Sequence, residues 1–139
     1  VRDTGEMNID RPQPRQWGAT GREAAELCRE WMLYLGAVDT VLSQGQASEV
    51  CDLYSSRWLA WVASRRGNLD AELVERAATT CTKDGRQALV FVAGGVFPTV
   101  QDRADALAVG LLRFDARGGD LDGANALGRR LVASGLAVV

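Results

Sequence analysis

Asp52 lies near the end of the run EVCDLY, and beyond the pair Ser55-Ser56 the run RWLAWVA carries one cation, Arg57, and no acid or amide. An aspartate in such a hairpin is a hard oxygen donor of the kind Mg²⁺ takes. Metal-assisted phosphodiester cleavage needs further oxygen donors as well, and a cation or base beside the attacking water. If Ser55 and Ser56 form the turn, Tyr54 pairs with Arg57, Asp52 with Leu59 and Val50 with Trp61. Directly paired residues share a face, as do alternate residues along a strand, so Asp52, Leu59, Trp61 and Ala63 fall on one side. That side offers a single carboxylate among apolar groups. The other side of the third strand, Trp58, Ala60 and Val62, is apolar too, so the strand reads as buried on both faces. Asp52 then reads as a carboxylate bonded to backbone, or to an arginine such as Arg57 near the turn, in preference to a metal.

The remaining chemistry-bearing residues are sparse. The chain has no histidine, which excludes every His-based triad and His metal site. Three widely spaced cysteines, Cys28, Cys51 and Cys81, make neither a zinc pattern nor a disulfide framework, and they read as buried structural thiols. Glu23, Glu26 and Glu30 could lend a carboxylate from a first helix; the simpler expectation is a solvated face with Arg22 and Glu26 paired one turn apart. Arg65-Arg66 and Arg129-Arg130 are small basic spots that could touch phosphate or simply be solvated. Trp31, Trp58 and Trp61 alternate with apolar neighbours and are expected in the core or an interface, whereas Trp17 is placed to dock on this domain or on a partner. Gly94-Gly95 lacks the Lys-Ser/Thr of a phosphate-binding loop. Trp17, Trp61, Arg57, Arg65 and Arg66 are therefore the candidate binding residues.

The elements that must position these residues follow from composition and periodicity. A length of 139 residues suits one domain, and a hydrophobic fraction of 47% is ample for a packed core. No apolar run is long enough to span a bilayer. Sixteen basic against 18 acidic residues give a net charge of -2, which disfavours nucleic acid as a general partner and leaves a protein partner as the expectation. Residues 1–18, with two prolines and no apolar period, read as a flexible arm or linker, and residues 19–139 as the domain. Thr20-Gly-Arg-Glu23 reads as a capping box starting a helix that stops at Gly36. Runs at about 37–43, 49–54 and 57–64 read as strands, 70–81 as a helix and 87–93 as a strand covered on both faces. Thr99 is expected to cap a helix to about 108, followed by a strand at 110–114, a loop DARGGD and a last helix over about 121–134. The order αβββαβαβα predicts an α/β fold, with a central mixed sheet flanked by helices: an antiparallel start, then parallel crossovers. Because the numbering begins at Val1, the expectation is an excerpt or processed product of a longer chain.

The strings AAELCREWMLYLGAVDTVLS, CDLYSSRWLAWVA and ALVFVAGGVFPTVQDRADALAVGLLRFDARGGDLDGANALGRRL carry a resemblance over about residues 20–132. In element order, in the Asp-x-x-Ser-Ser-Arg hairpin and in the small-residue Asn segment, the chain resembles the Mrr-like restriction-endonuclease domains of actinobacteria. The resemblance implies a PD-(D/E)XK nuclease fold, type IV restriction activity and a metal held by an Asp on one hairpin strand and a Gln/Glu-x-Lys on the next. Asp52 fits the first position; Trp61 and Ala63 fall on the other two, and SQGQASEV replaces the usual glycine-rich lead. The expectation is a catalytically degenerate member, with no catalytic residues and no cofactor, acting as a protein-interaction or scaffold module. It would lie on the cytoplasmic side, with any membrane tether upstream of these residues. The alternative is a divergent Mg²⁺-dependent DNA endonuclease, or a non-cleaving DNA-binding domain, with Asp52 as metal ligand.

Overall fold

In a computed structural model the structure describes residues 9–137. Helix α1 (Arg22–Tyr34) buries Ala24, Leu27, Cys28, Trp31 and Met32, one helical stripe. Thr20 does not form the expected capping box. Gly21, at φ 56, occupies the cap position without a side-chain bond, and Thr20 contributes only its carbonyl, which accepts from Glu23 N–H (3.1 Å). Gly36 ends the helix as expected, at φ 113, with Ala37 N–H closing back on Met32 O (2.9 Å).

Strand β1 (Val41–Leu42) and a 3₁₀ turn (Gly45–Glu49) lead to β2 (Leu53–Tyr54) and β3 (Trp58–Ala63). Helix α2 (Ala71–Asp84) starts at Asp70, whose Oδ1 accepts from Glu72 N–H (2.9 Å), and ends at Gly85. Strand β4 (Gln87–Val92) and helix α3 (Pro98–Ala106) follow. Thr99 lies inside α3 and does not cap it: Pro98, whose fixed φ suits a first helical turn, moves the cap to Phe97. Strand β5 (Val109–Asp115) turns back into β6 (Asp120–Gly123), where a loop and the beginning of a helix were expected. Helix α4 (Ala126–Ser134) therefore starts later than the sequence suggests. The acidic segment DLDG buries only Leu121; its strand form comes from pairing with β5 through a tight turn, Asp115 opposite Asp120 and Gly119 at φ 72.

The α/β expectation is realised as one six-stranded mixed sheet in the order β1-β2-β3-β4-β5-β6, flanked by four helices. β3, β4 and β5 are parallel, and the remaining pairs are antiparallel. One face packs Leu59, Trp61, Val90, Val92 and Leu111 against Val74, Ala77 and Cys81 of α2 and Val100 and Ala104 of α3. The other packs Leu53, Trp58, Ala60, Leu89, Phe91 and Leu112 against α1, with Leu131 and Val132 of α4 beside them. A central strand covered on both faces must be apolar where it is covered, and β3 and, past the exposed Gln87, β4 satisfy this.

The hairpin turn lies one residue later than expected. Leu53 pairs with Ala60 and Tyr54 with Leu59, and Ser55 N–H donates to Trp58 O (2.9 Å), so Ser56-Arg57 is the turn. Buried Ser55 sets this position: its Oγ accepts from Trp58 N–H (3.2 Å), while Asp39 Oδ2 accepts from Ser56 N–H (2.9 Å). Moving the turn by one residue shifts each partner by two, an even shift, so Leu59, Trp61 and Ala63 keep their common face.

Residues 9–18 form no helix or strand, but they strap α1 to the β5–β6 hairpin. Arg15 N–H donates to Ala116 O (2.7 Å), and the Arg15 side chain bonds Glu30 (2.7 Å). Arg11 donates to Gly119 O (2.9 Å), pairs with Asp120 (3.1 Å) and lies 4.9 Å over the Trp31 ring. Two arginines with carboxylate, carbonyl and aromatic partners anchor the segment, which its lack of apolar period did not reveal. Residues 1–8 lie outside the described residues.

Candidate functional site

The backbone of Asp52 joins two neighbours: its N–H donates to Ala60 O and its carbonyl accepts from Ser43 N–H, both at 2.9 Å. Strand β2 starts only at Leu53, which leaves the Val62 N–H on β3 without a strand partner on that side. The Asp52 carboxylate takes its place, Oδ2 accepting from Val62 N–H at 2.7 Å. A charged acceptor on a part-buried amide is a strong local bond and fixes the carboxylate at the sheet edge.

Trp61, at the expected Gln/Glu position, is 4% exposed, and its indole N–H donates to Val50 O (2.9 Å). Ala63, at the expected lysine position, is half-buried in the same apolar cluster. Two hollows meet at Val62 and Leu73. One, about 220 Å³, is lined by Glu49, Asp52, Trp61, Val62, Leu73 and Arg76. The other, about 260 Å³, lies at the carboxyl ends of β3 and β4 and includes Ala63, Arg65, Arg66 and Val92.

These donors give a hard divalent cation two carboxylates at most, Asp52 and Glu49. Mg²⁺ takes six oxygens in near-octahedral geometry, several of them from water and one or two from carboxylates. Here one oxygen of Asp52 is bonded to Val62 N–H, and Trp61 and Ala63 contribute no oxygen donor. Glu49 is the only other carboxylate lining that hollow, and among the described residues no group of three potential ligands gathers anywhere. The three thiols are buried, which opposes the thiolate form that a nucleophile needs. Burial pushes all three up: Cys28 well above its ordinary value, aided by the charge of Asp52; Cys51 upward; and Cys81 to about 11.

The other candidates disperse. Arg57 is exposed at the turn and makes no bond to Asp52; its carbonyl accepts from Gln87 N–H (2.9 Å). Glu26 pairs with Arg22 (3.6 Å) and Glu30 with Arg15, so the first helix lends no carboxylate to Asp52. Trp31 and Trp58 are core residues, the latter bonded to Leu136 O (3.1 Å). Trp17 is 84% exposed on the strap. Arg129 and Arg130 are exposed on α4. Gly94 serves close backbone approach: it lies against Gly67 O with no room for a Cβ. Arg65 and Arg66 are brought to the rim of the larger hollow. Arg76 and Glu49 were missed. Arg76 follows Leu73 by one helical turn, a spacing that could have placed it on the same side of α2.

Among the described residues no helix is long and apolar enough to cross a membrane. No family model matches the chain, and no curated protein or solved structure matches it.

Proposed function

We propose that this chain is a catalytically silent nuclease-fold domain that works as a protein-interaction or scaffold module. The observation that carries the reading is the use to which the hairpin side chains are put. Asp52 completes the sheet edge at Val62, and Trp61 fills the neighbouring position with a ring anchored on Val50 O. Commitment to the fold leaves one oxygen of Asp52 for a metal and no oxygen donor at Trp61, which supports the silent reading. The mixed sheet with an antiparallel β1–β3 start and parallel β3–β5 is compatible with the nuclease fold that the hairpin motif suggests.

A second reading, a non-cleaving DNA reader or divergent endonuclease, draws on one observation: Arg65, Arg66 and Arg76 gather about the two adjoining hollows. Incubation with methylated and unmethylated DNA in Mg²⁺ or Mn²⁺, beside an Asp52→Ala control, separates the two. We expect no cleavage, and DNA binding weaker than about 10⁻⁴ to 10⁻⁶ M at physiological salt. Cleavage lost in Asp52→Ala would overturn the proposal. A tighter complex with a steep salt dependence would establish the DNA reader.

A further inference from the structure

The loop after β3 is stapled to the loop after β4. Ala93 N–H donates to Ala63 O (3.0 Å), Leu69 N–H donates to Gly95 O (2.9 Å), and Asn68 and Gly95 form a parallel bridge. Gly67 takes φ 97 at the crossing with Gly94, and Asp70 then caps α2. A loop fixed in this way needs little ordering when a partner arrives, which lowers the entropic cost of binding. It presents Arg65 and Arg66, both exposed, above the cleft of about 260 Å³ whose floor is Val62, Ala63, Leu73 and Val92. Phe97, just past Gly95 at the same end of β4, is 55% exposed.

Size, lining and charge narrow the occupant. The cleft of 260 Å³ lies just under the range of about 300–1,000 Å³ usual for small-molecule sites, so it suits one or two side chains. Its floor is apolar and suits an aliphatic or aromatic side chain, while Ser64, Asn68 and Asp70 add polar groups at the rim. Arg11, Arg15, Arg22, Arg86 and Arg103 are each paired with a carboxylate. Among the described residues Arg65 and Arg66, like several arginines elsewhere, pair with no carboxylate; they share the cleft with Asp70, whose Oδ1 accepts from Glu72 N–H. A guanidinium grips a carboxylate or a phosphate with two parallel bonds, and the net charge of -2 and the apolar floor favour the carboxylate of a protein over a phosphate backbone.

We infer that this cleft docks a segment of a partner protein in which an apolar side chain is flanked by carboxylates. The apolar group sits on Ala63, where the small side chain leaves the notch, and the acids meet Arg65 and Arg66. The inference rests on the interaction-module reading and adds to it the face and the chemistry of the partner.

The test is an amide-shift titration of the isotopically labelled whole chain with three probes: a short peptide holding Leu-Phe between glutamate pairs, its glutamine counterpart, and a random-sequence DNA duplex. At about 150 mM salt the glutamate peptide should saturably shift the amides of Ala63, Arg66, Asn68 and Leu73. The glutamine peptide should bind about tenfold more weakly or worse, and the Arg65→Glu/Arg66→Glu variant should lose a similar factor for the glutamate peptide while melting like the parent. The inference is overturned by an absence of saturable shifts, by shifts confined to another face, or by indifference to the charge reversal. Tighter binding of the duplex at these same amides would also overturn it and give the cleft to nucleic acid. None of these outcomes touches the claim of catalytic silence, which falls only to metal-dependent cleavage.

Discussion

At the scale of single residues, Asp52 and Trp61 are structural groups in positions that chemistry could have used. Asp52→Ala strips the acceptor from the part-buried Val62 N–H, and an orphaned amide of this kind costs about 1–3 kcal/mol. Asp52→Asn keeps a side-chain oxygen and should lose less; urea midpoints of both variants measure the difference, and equality with the parent would remove the structural role. Introducing the Gln-x-Lys pattern that the proposed resemblance implies should give no enzyme. Trp61→Gln deletes a ring that is 4% exposed, and truncating a buried Trp to Ala costs about 3–5 kcal/mol. Ala63→Lys adds a cation whose desolvation beside Val62 and Val92 opposes it. The double variant is expected to melt below the parent and to cut no DNA in Mg²⁺ or Mn²⁺. A parent-like melt together with metal-dependent cleavage would refute both claims.

At the scale of elements, the last helix is held by one buried amide. Asn125 is 1% exposed; its Oδ1 accepts from Leu111 N–H (3.0 Å) and Gly128 N–H (2.8 Å), and its Nδ2 donates to Val109 O (2.8 Å). It caps α4 and ties that cap to the backbone of β5, while Asp105 receives the next two helix amides, Ala126 and Leu127. Asn125→Ala leaves several buried groups without partners, each worth about 1–3 kcal/mol, so a loss of at least about 2 kcal/mol is expected. Amide exchange should rise first in α4 and β6, since those elements depend on the cap. Uniform exchange across the sheet would instead place the loss in the global unfolding step. The strap of residues 9–18 is the other element-level device: Arg11 and Arg15 tie it to Trp31, Glu30 and the β5–β6 turn.

At the scale of the whole molecule, two cores share one sheet, and each of the three thiols is buried in one of them. A thiol whose pKa is higher folded than unfolded keeps its proton at pH values where the unfolded chain has released it. Its stabilising contribution is therefore complete below the ordinary value of 9.0 and declines as pH rises, for Cys81 toward about 11. Cys28 and Cys51 shift in the same direction, so the fold should lose stability progressively above pH 9.0. Urea midpoints between that pH and about 11 should fall, and should fall less steeply in Cys81→Ala. A flat profile would mean that the thiols do not ionise on unfolding.

The periodicity of α1 and α2 and the unbroken apolar runs of β3 and β4 were legible in the sequence, because a stripe or a doubly covered strand is a local pattern that burial imposes everywhere alike. The common face of Leu59, Trp61 and Ala63 was legible for the same reason, and it survived a misplaced turn because side chains alternate with period two. The turn itself was not legible: Ser55 and Asp39 chose Ser56-Arg57 through side-chain bonds, one of them from outside the hairpin. β6 and the strap were hidden because neither has an apolar period; partners brought in from β5, α1 and the hairpin hold them. The hollows beside Asp52 were hidden too. Arg76 and the loop of Arg65 and Arg66 are distant in sequence from Asp52, and only the crossover from β3 into α2 sets them about two adjoining hollows. The sequence by itself determined which residues must be inside. Tertiary structure decided which polar groups meet, because that depends on pairings across the chain that no local pattern encodes.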